Sequence, residues 1–382
     1  MSVSPNRSVP GVQMNNAEVS PIAPAEYEAR RAAVREGLAE RKLDALLVSN
    51  GPNLRYLTGF TGDNASLLVT QGAGAVLVTD PRFEIQAARE VSCAVKTAKG
   101  PLLVEVGDAI RRHAVKRIGF EPARTTYEAY QALVPRLPMK AELQAVNGWI
   151  EGLRMVKSPA ELALIRHAVG ISSRAFEQVA SKVRAGMKES DVAADLEYRM
   201  RRLGAEKPSF ETIVAAGERS ALPHAQPTAA RLREGGLVVV DMGAFHQGYA
   251  SDMTRMLFVG KPGAKVKRAY RAVLEAQLAA IDAVKAGRPT AAVDRAARRV
   301  LAGYGLERAF VHSTGHGLGL EIHEPPRLGK RDKRRLEAGM AVTIEPGVYL
   351  EGWGGIRIED TVVVTPSGCE VLTPTSKQLR VV

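Results

Sequence analysis

The chain has 382 residues, 45% hydrophobic and 25% charged, which fits a globular protein of about two domains. The net charge of +12 comes from Lys and Arg spread along the chain, and only 5% of residues are aromatic, so a base-stacking nucleic-acid surface is excluded. No run approaches the roughly 18 apolar residues of a membrane span. The two cysteines, Cys93 and Cys369, are too far apart and too few for a disulfide framework and point to a reducing cytoplasm.

In chain order, residues 1–22 are rich in Ser, Pro and Asn without an apolar stretch, and read as a disordered leader. The spacing of Tyr27, Arg31, Val34 and Leu38 predicts a helix over 25–42. Residues 45–49 read as a buried strand and 50–53 as a turn. The apolar runs 65–70 and 74–79 predict a hairpin, and Asp80-Pro81 a helix start. Strands at 94–97 and 117–120 flank a helix through Asp108 to His113. This alternation predicts a three-layer α/β domain over 23–147. Tyr56 and Phe60, in the stretch LRYLTGFTG, are flanked by glycine and read either as reaching a second domain or as a loop on their own sheet.

A second domain is expected over 148–382. Ser158, Pro159 and Glu161 form a capping box that starts a helix, and another runs through Val192 to Leu203. Strands follow at 210–216 and 237–243, with a Pro-flanked loop presenting His224 between them. A hairpin turning at His246-Gln247 sets Asp241 opposite Asp252, about 5 Å apart on one face. Two alanine-rich helices at 265–285 and 291–304 read as scaffold. Folding the chain about residue 352 sets Glu345 opposite Glu359. His113, His167 and His246 sit in helical or turn contexts and take no role.

The stretch Ser313-Thr-Gly-His-Gly-Leu-Gly-Leu-Glu-Ile-His-Glu-Pro-Pro326 is not built for packing. Its glycines at 315, 317 and 319 imply a sharp bend or a close approach. His316 between two of them reads as a metal ligand, and His323 as facing substrate or supporting a ligand. The carboxylates Asp241, Asp252, Glu345 and Glu359 all lie on strands dense in Val, Ile, Leu and Met. Ionised carboxylates 4 Å apart repel by about 4 kcal/mol even at an effective dielectric near 20. Four together need cations, and two divalent ions balance four negative charges. Oxygen donors with one imidazole suit Mn²⁺, Co²⁺, Zn²⁺ or Fe²⁺.

These residues resemble a known family. Asp241 and Asp252 in DMGxxxxGYxSDMTR, His316 in STGHGLG, Glu345 in TIEPGVY and Glu359 in GIRIED are similar to the pita-bread metallopeptidases, which include aminopeptidase P, prolidase, methionine aminopeptidase and creatinase. LRYLTGFTG and TDPRF resemble the N-terminal domain of the aminopeptidase P, prolidase and creatinase branch. The resemblance implies an α/β N-terminal domain and an α+β pita-bread catalytic domain. It implies two divalent ions, Mn²⁺ first with Co²⁺ or Zn²⁺ as alternatives, bridged by Asp252 and Glu359. Asp241 completes one ion, His316 and Glu345 the other. Glu345 is also the implied proton shuttle. His224 and His323 hold the scissile carbonyl, and His312, Tyr349 and Arg357 are pocket or ligand-orienting groups. The implied activity is removal of a first residue that precedes proline. The alternatives are an Xaa-Pro dipeptidase and, further off, a non-catalytic binding module. The implied partners are a proline-containing peptide and a second copy of the chain, with neither nucleic acid nor membrane.

Overall fold

The computed structural model describes residues 21–72 and 74–382. The leader expected over 1–22 falls outside them except at its end, where Ile22 is buried. The described chain divides into two compact units, Pro21–Arg154 and Met155–Val382.

The first unit holds helices α1 (Pro24–Glu40), α2 (Gly51–Thr58), α3 (Glu84–Glu90), α4 (Leu102–Arg112), α5 (Tyr127–Leu133) and α6 (Trp149–Arg154). Its strands are β1 (Ala45–Val48), β2 (Ala65–Thr70), β3 (Gly74–Thr79), β4 (Ala94–Thr97), β5 (Arg117–Phe120) and β6 (Glu142–Ala145), in the order β4-β3-β2-β1-β5-β6. Every residue of β1 is buried, so the sheet needs cover on both faces. Ala45 and Leu47 pack with Val106, Ala109 and Ile110 of α4. Leu46 and Val48 alternate onto the face that α1 and α2 approach. The three-layer expectation holds.

Two expectations change. The turn expected at 50–53 is the first half of α2, with Pro52 in its first turn and Gly59 closing it at φ 80°. Tyr56 and Phe60 are therefore helix and cap residues buried within their own unit; Tyr56 lies under the Arg30 guanidinium, 4.1 Å from its ring centroid. The division between units falls after Arg154, not at Asn147-Gly148. Helix α6 stays with the first unit because Arg154 Nη1 donates to Asn53 Oδ1 at 2.6 Å and Trp149 stacks under Arg41.

In the second unit the expected capping box is present: Ser158 Oγ accepts from Glu161 N and Glu161 Oε2 from Ser158 N. It starts α7 (Pro159–Ala180), followed by α8 (Glu189–Arg202), β7 (Lys207–Pro208), β8 (Ile213–Ala216), β9 (Leu237–Met242), β10 (Ala244–His246), β11 (Tyr249–Ala250) and β12 (Met253–Phe258). Then come α9 (Ala264–Asp282), α10 (Thr290–Gly303), β13 (Gly315–Gly317), β14 (Glu324–Leu328), β15 (Ala341–Ile344), β16 (Gly347–Leu350), β17 (Gly354–Arg357), β18 (Asp360–Val364), β19 (Cys369–Val371) and β20 (Arg380–Val381). One sheet runs β20-β12-β9-β8 and another β14-β13-β15-β18-β19.

Side-chain alternation assigns the faces of the first sheet. Val238, Val240, Met253 and Leu257 pack with α7 and α8. Leu237, Val239, Met256 and Phe258 pack with α9, α10 and the apolar side of the second sheet. Asp241 and Thr254 share the parity of this second group, so the first sheet turns its carboxylate side toward the second. None of the described helices is long and apolar enough to cross a membrane.

Candidate metal centre

Strands β9 and β12 pair with Asp241 opposite Thr254 and Met242 opposite Met253. The turn is at Gln247-Gly248, with φ 46° and 81°, not at His246-Gln247. This one-position shift makes Asp241 and Asp252 diagonal rather than direct neighbours. The shift in pairing is an even number of residues, so both keep the same face. The other expected pairing is present. Ile344 opposes Asp360 and Gly347 opposes Arg357, which brackets Glu345 against Glu359. Glu359 N donates to Thr254 O at 3.2 Å, stitching this segment onto β12.

His316 arrives on β13. A Cβ on Gly315 would lie 1.9 Å from Thr343 O, and one on Gly317 2.3 Å from Pro325 O. The glycines therefore make room for neighbouring backbone. His316 N donates to Thr343 Oγ1 at 3.1 Å, and Thr343 Oγ1 donates to Glu345 Oε1 at 3.3 Å, so one threonine sets both groups. His316 Nδ1 lies 3.0 Å from Gly317 O and must carry the proton of that bond. The Nε2 lone pair is left to face Asp252 Oδ2 at 3.6 Å and Glu345 Oε1 at 3.4 Å. Atoms of Asp252, His316 and Glu359 that could ligate a metal ion lie within 4.8 Å of one another.

Asp241 joins this group from behind. Its Oδ2 accepts from Arg357 Nη2 at 2.6 Å, while its Oδ1 is buried and meets no donor of the protein. Arg357 Nε also donates to Thr254 Oγ1 at 3.1 Å, and Thr254 passes a hydrogen bond on to Glu359 Oε2 at 2.7 Å. Arg357 Nη1 donates to the Tyr349 hydroxyl at 2.6 Å, which lies 2.9 Å from His312 Nε2. His312 Nδ1 is 2.8 Å from Ser313 O, so Nε2 is the acceptor and Tyr349 the donor. Tyr349 thus stands behind the cavity wall, with its hydroxyl fully engaged. His312 and Arg357 line the cavity.

The electrostatics identify what the cluster lacks. Burial, then the charges of Asp241 and Glu345, push the Asp252 carboxyl well above its usual range. Burial and Asp252 do the same to Glu359. Burial also raises Glu345, against the pull of His312 and Arg357. Burial lowers His316 and His312 and takes His323 down to about 4, so all three imidazoles are neutral near pH 7. The cation inside the group is Arg357, already seated on Asp241. Acid and imidazole donors, a stranded buried carboxylate oxygen and uncompensated negative charge fit a cluster of divalent ions.

The group opens onto a cavity of about 710 Å³. His224 and His323 are exposed on its wall, and the His316 and His323 rings meet edge to face at 4.4 Å. Sequence reasoning missed several residues here. Thr254 and Thr343 orient carboxylates of the cluster, Glu359 and Glu345, yet nothing marks a strand threonine as different from its neighbours. Glu324 lines the cavity and pairs with buried Lys157 at 3.3 Å, across 167 positions of sequence. Arg327 stands on the wall, donating to Ser313 Oγ.

Comparison with known proteins agrees with this geometry. Residues 163–366 match the family model described as metallopeptidase family M24, and residues 30–156 match the creatinase/prolidase N-terminal domain. The chain is 38% identical to an Xaa-Pro dipeptidase of Pyrococcus horikoshii over 90% of its length and 96% of the relative's. An Xaa-Pro dipeptidase from Bacillus anthracis superposes with a TM-score of 0.91 at 38% identity, covering 93% of this chain and all of that one. An X-Pro aminopeptidase from Thermotoga maritima superposes at 0.85 with 36% identity, covering 90% of this chain and 99% of that one. The order of the matched segments, the buried acid–imidazole cluster and its helix-backed sheets therefore have one reading: the chain belongs to metallopeptidase family M24, preceded by a creatinase/prolidase N-terminal domain.

Proposed function

We propose that the protein hydrolyses the bond between a first residue and a following proline, and that Xaa-Pro dipeptides are its substrates. The observation that carries this is the buried acid–imidazole cluster opening on a cavity whose wall also holds an exposed guanidinium, Arg327. Asp241, Asp252, His316, Glu345 and Glu359 would hold two divalent ions, with Mn²⁺ first in expectation. Such ions polarise a carbonyl and acidify water toward neutral pH.

The remaining work falls to side chains. Glu345, its carboxyl already raised by burial, is suited to take a proton and return it to the leaving proline nitrogen. His224 and His323 are exposed on the wall, where imidazole N–H groups can donate to the scissile oxygen as charge develops. Arg357 fixes Asp241 directly and Glu359 through Thr254, so both carboxylates keep their orientation without occupying the substrate's path. Arg327 makes no ion pair among the described residues and is free to hold the dipeptide's terminal carboxylate.

An aminopeptidase reading, placed first by the sequence alone, has support in the cavity. Its volume is that of a site for drug-sized ligands, which leaves room beyond proline. The two readings part on substrate length. With Mn²⁺, an Ala-Pro dipeptide is turned over and an Ala-Pro-Ala tripeptide is not; turnover of the tripeptide alone overturns the dipeptidase reading. Arg327→Ala raises KM for the dipeptide about 10-fold or more, with a smaller change in kcat, as expected for a lost charge-assisted contact. An unchanged KM removes Arg327 from carboxylate recognition.

A further inference from the structure

We infer that the cavity selects peptides of net negative charge, because a platform of fixed positive charge stands at its rim. The inference rests on the Xaa-Pro reading and narrows its substrate class. Residues 327–335, RLGKRDKRR, carry six cations and one acid. Arg327, Asp332 and Arg334 of this run line the cavity that holds the carboxylate cluster, so the run borders the opening rather than a remote face.

The platform is held in place. Asp332 accepts from Arg327 N at 3.2 Å and from Arg334 N at 2.8 Å, and its own N–H donates to Gly329 O. Thr290, at the start of α10, donates from N to Arg334 O at 3.0 Å and from Oγ1 toward Asp332 O at 3.3 Å. Arg335 Nη1 donates to Gly287 O at 2.7 Å, and Leu336 N to Arg288 O at 2.8 Å. The single acid of the run is thus engaged in shaping it.

The cations are left largely uncompensated. Lys330 approaches Glu307 only at 3.8 Å, with its side chain 61% exposed, and Arg334 approaches Asp332 only at 3.9 Å. Arg327, Arg331, Lys333 and Arg335 are exposed, and among the described residues none has a side-chain ion pair. Of the remaining wall acids outside the cluster, Glu324 is paired with Lys157, and Glu211 is the exposed one.

A surface of one sign beside a low-dielectric cleft focuses its field into the cleft and raises the local concentration of oppositely charged ligands. The effect reaches about one Debye length, roughly 10 Å at 0.1 M salt, and fades as salt shortens it. A contact made inside the cavity does not fade in this way. Salt dependence therefore separates the rim from a local pocket.

The test is kcat/KM for Glu-Pro, Ala-Pro and Lys-Pro at ionic strengths of about 10 mM and about 500 mM. Glu-Pro is expected to exceed Lys-Pro by about tenfold at low salt, mainly through KM, and by about twofold or less at high salt. In the triple variant K330E/R331E/K333E the order inverts, while kcat for Ala-Pro stays at the wild-type value. Equal rates for Glu-Pro and Lys-Pro at low salt overturn the inference, as does a preference that survives either high salt or the triple substitution. The wild-type salt dependence stands without any variant. A protein that leaves Ala-Pro intact instead overturns the Xaa-Pro reading, and the substrate class falls with it.

Discussion

Asp252→Asn lowers kcat/KM on an Xaa-Pro dipeptide by at least about 10³-fold, yet melts at a higher temperature than the wild type when both are stripped with chelator. The two effects have one origin. Asp252 is 5% exposed and faces His316, Glu345 and Glu359, so under the proposed ligand set its carboxylate is needed where cations bind and is a liability where they do not. Burial and neighbouring charge raise the carboxyls of Asp252, Glu345 and Glu359 above their usual range. The folded metal-free protein therefore binds protons that the unfolded chain has released. The stability these three carboxyls contribute is present in full below the ordinary carboxylate range near pH 4 and is lost as pH rises from there toward the raised values. Metal binding must expel those protons, so affinity rises with pH over the same window. Thermal melts with and without chelator across pH 4–8, and calorimetric metal titrations in two buffers of different ionisation heat, read both effects. An Asn variant less stable than wild type in chelator would sink the argument. So would a wild-type deficit against the Asn variant, both in chelator, that shrinks as pH rises from 4 to 8.

Arg255→Met costs about 3–5 kcal/mol of unfolding free energy, the range for removing one partner of a buried charged pair. Arg255 is 1% exposed and its guanidinium donors are all engaged. Nη1 donates to Thr254 O at 2.9 Å and Glu359 O at 2.5 Å, Nη2 to Asp360 Oδ1 and Thr375 O at 2.7 Å each, and Nε to Ser376 O at 3.0 Å. Burial opposes the Asp360 charge, but Arg255 and Lys377 overcome it and hold that carboxyl below its usual range. Methionine fills much of the volume but leaves four carbonyls without this donor, three of them, on Thr254, Glu359 and Thr375, in a dry interior. Asp360 keeps Lys377 and Gln277, so most of the loss comes from those carbonyls. Arg255→Lys recovers only part of it, because one ammonium cannot reach both Glu359 O and Ser376 O in the same fork geometry. Urea denaturation of the metal-free proteins measures the difference; a loss under about 1 kcal/mol for the Met variant rejects this account.

The parts of the fold legible in the sequence are those set by local rules. Ser158, Pro159 and Glu161 announced α7 because a capping box satisfies its donors locally. The 345/359 pairing followed from simple folding about residue 352 because no bulge interrupts it. The Asp241–Asp252 pairing was misplaced by one step because Gln247 adopts a left-handed φ of 46°, which its residue type does not advertise, and that moves the turn. Helix α2 was hidden by Asn50, Gly51, Pro52 and Asn53, all turn formers, although Pro in the first turn is equally a helix start. Of the site, the charged and imidazole groups could be found because burying them demands an explanation. Thr254, Lys157 and Arg327 could not, since their roles come from partners distant in sequence, nor could Thr343, which joins nearby Glu345 to His316, 27 positions before it.

Arg255 sets an order on the making of the protein. It sits on β12, but its acceptors include Glu359, Thr375 and Ser376, which follow it by 104, 120 and 121 positions. During synthesis from the N-terminus the first unit and the α7/α8 half of the second have their apolar partners early. The guanidinium and the Asp241–Asp252 hairpin do not: their partners, Arg357, Glu359, Thr361, Thr375 and Ser376, are made more than 100 positions later. The candidate metal cluster, which draws on Asp252, His316 and Glu359, therefore cannot be assembled before Glu359 has been made, and closes late in folding.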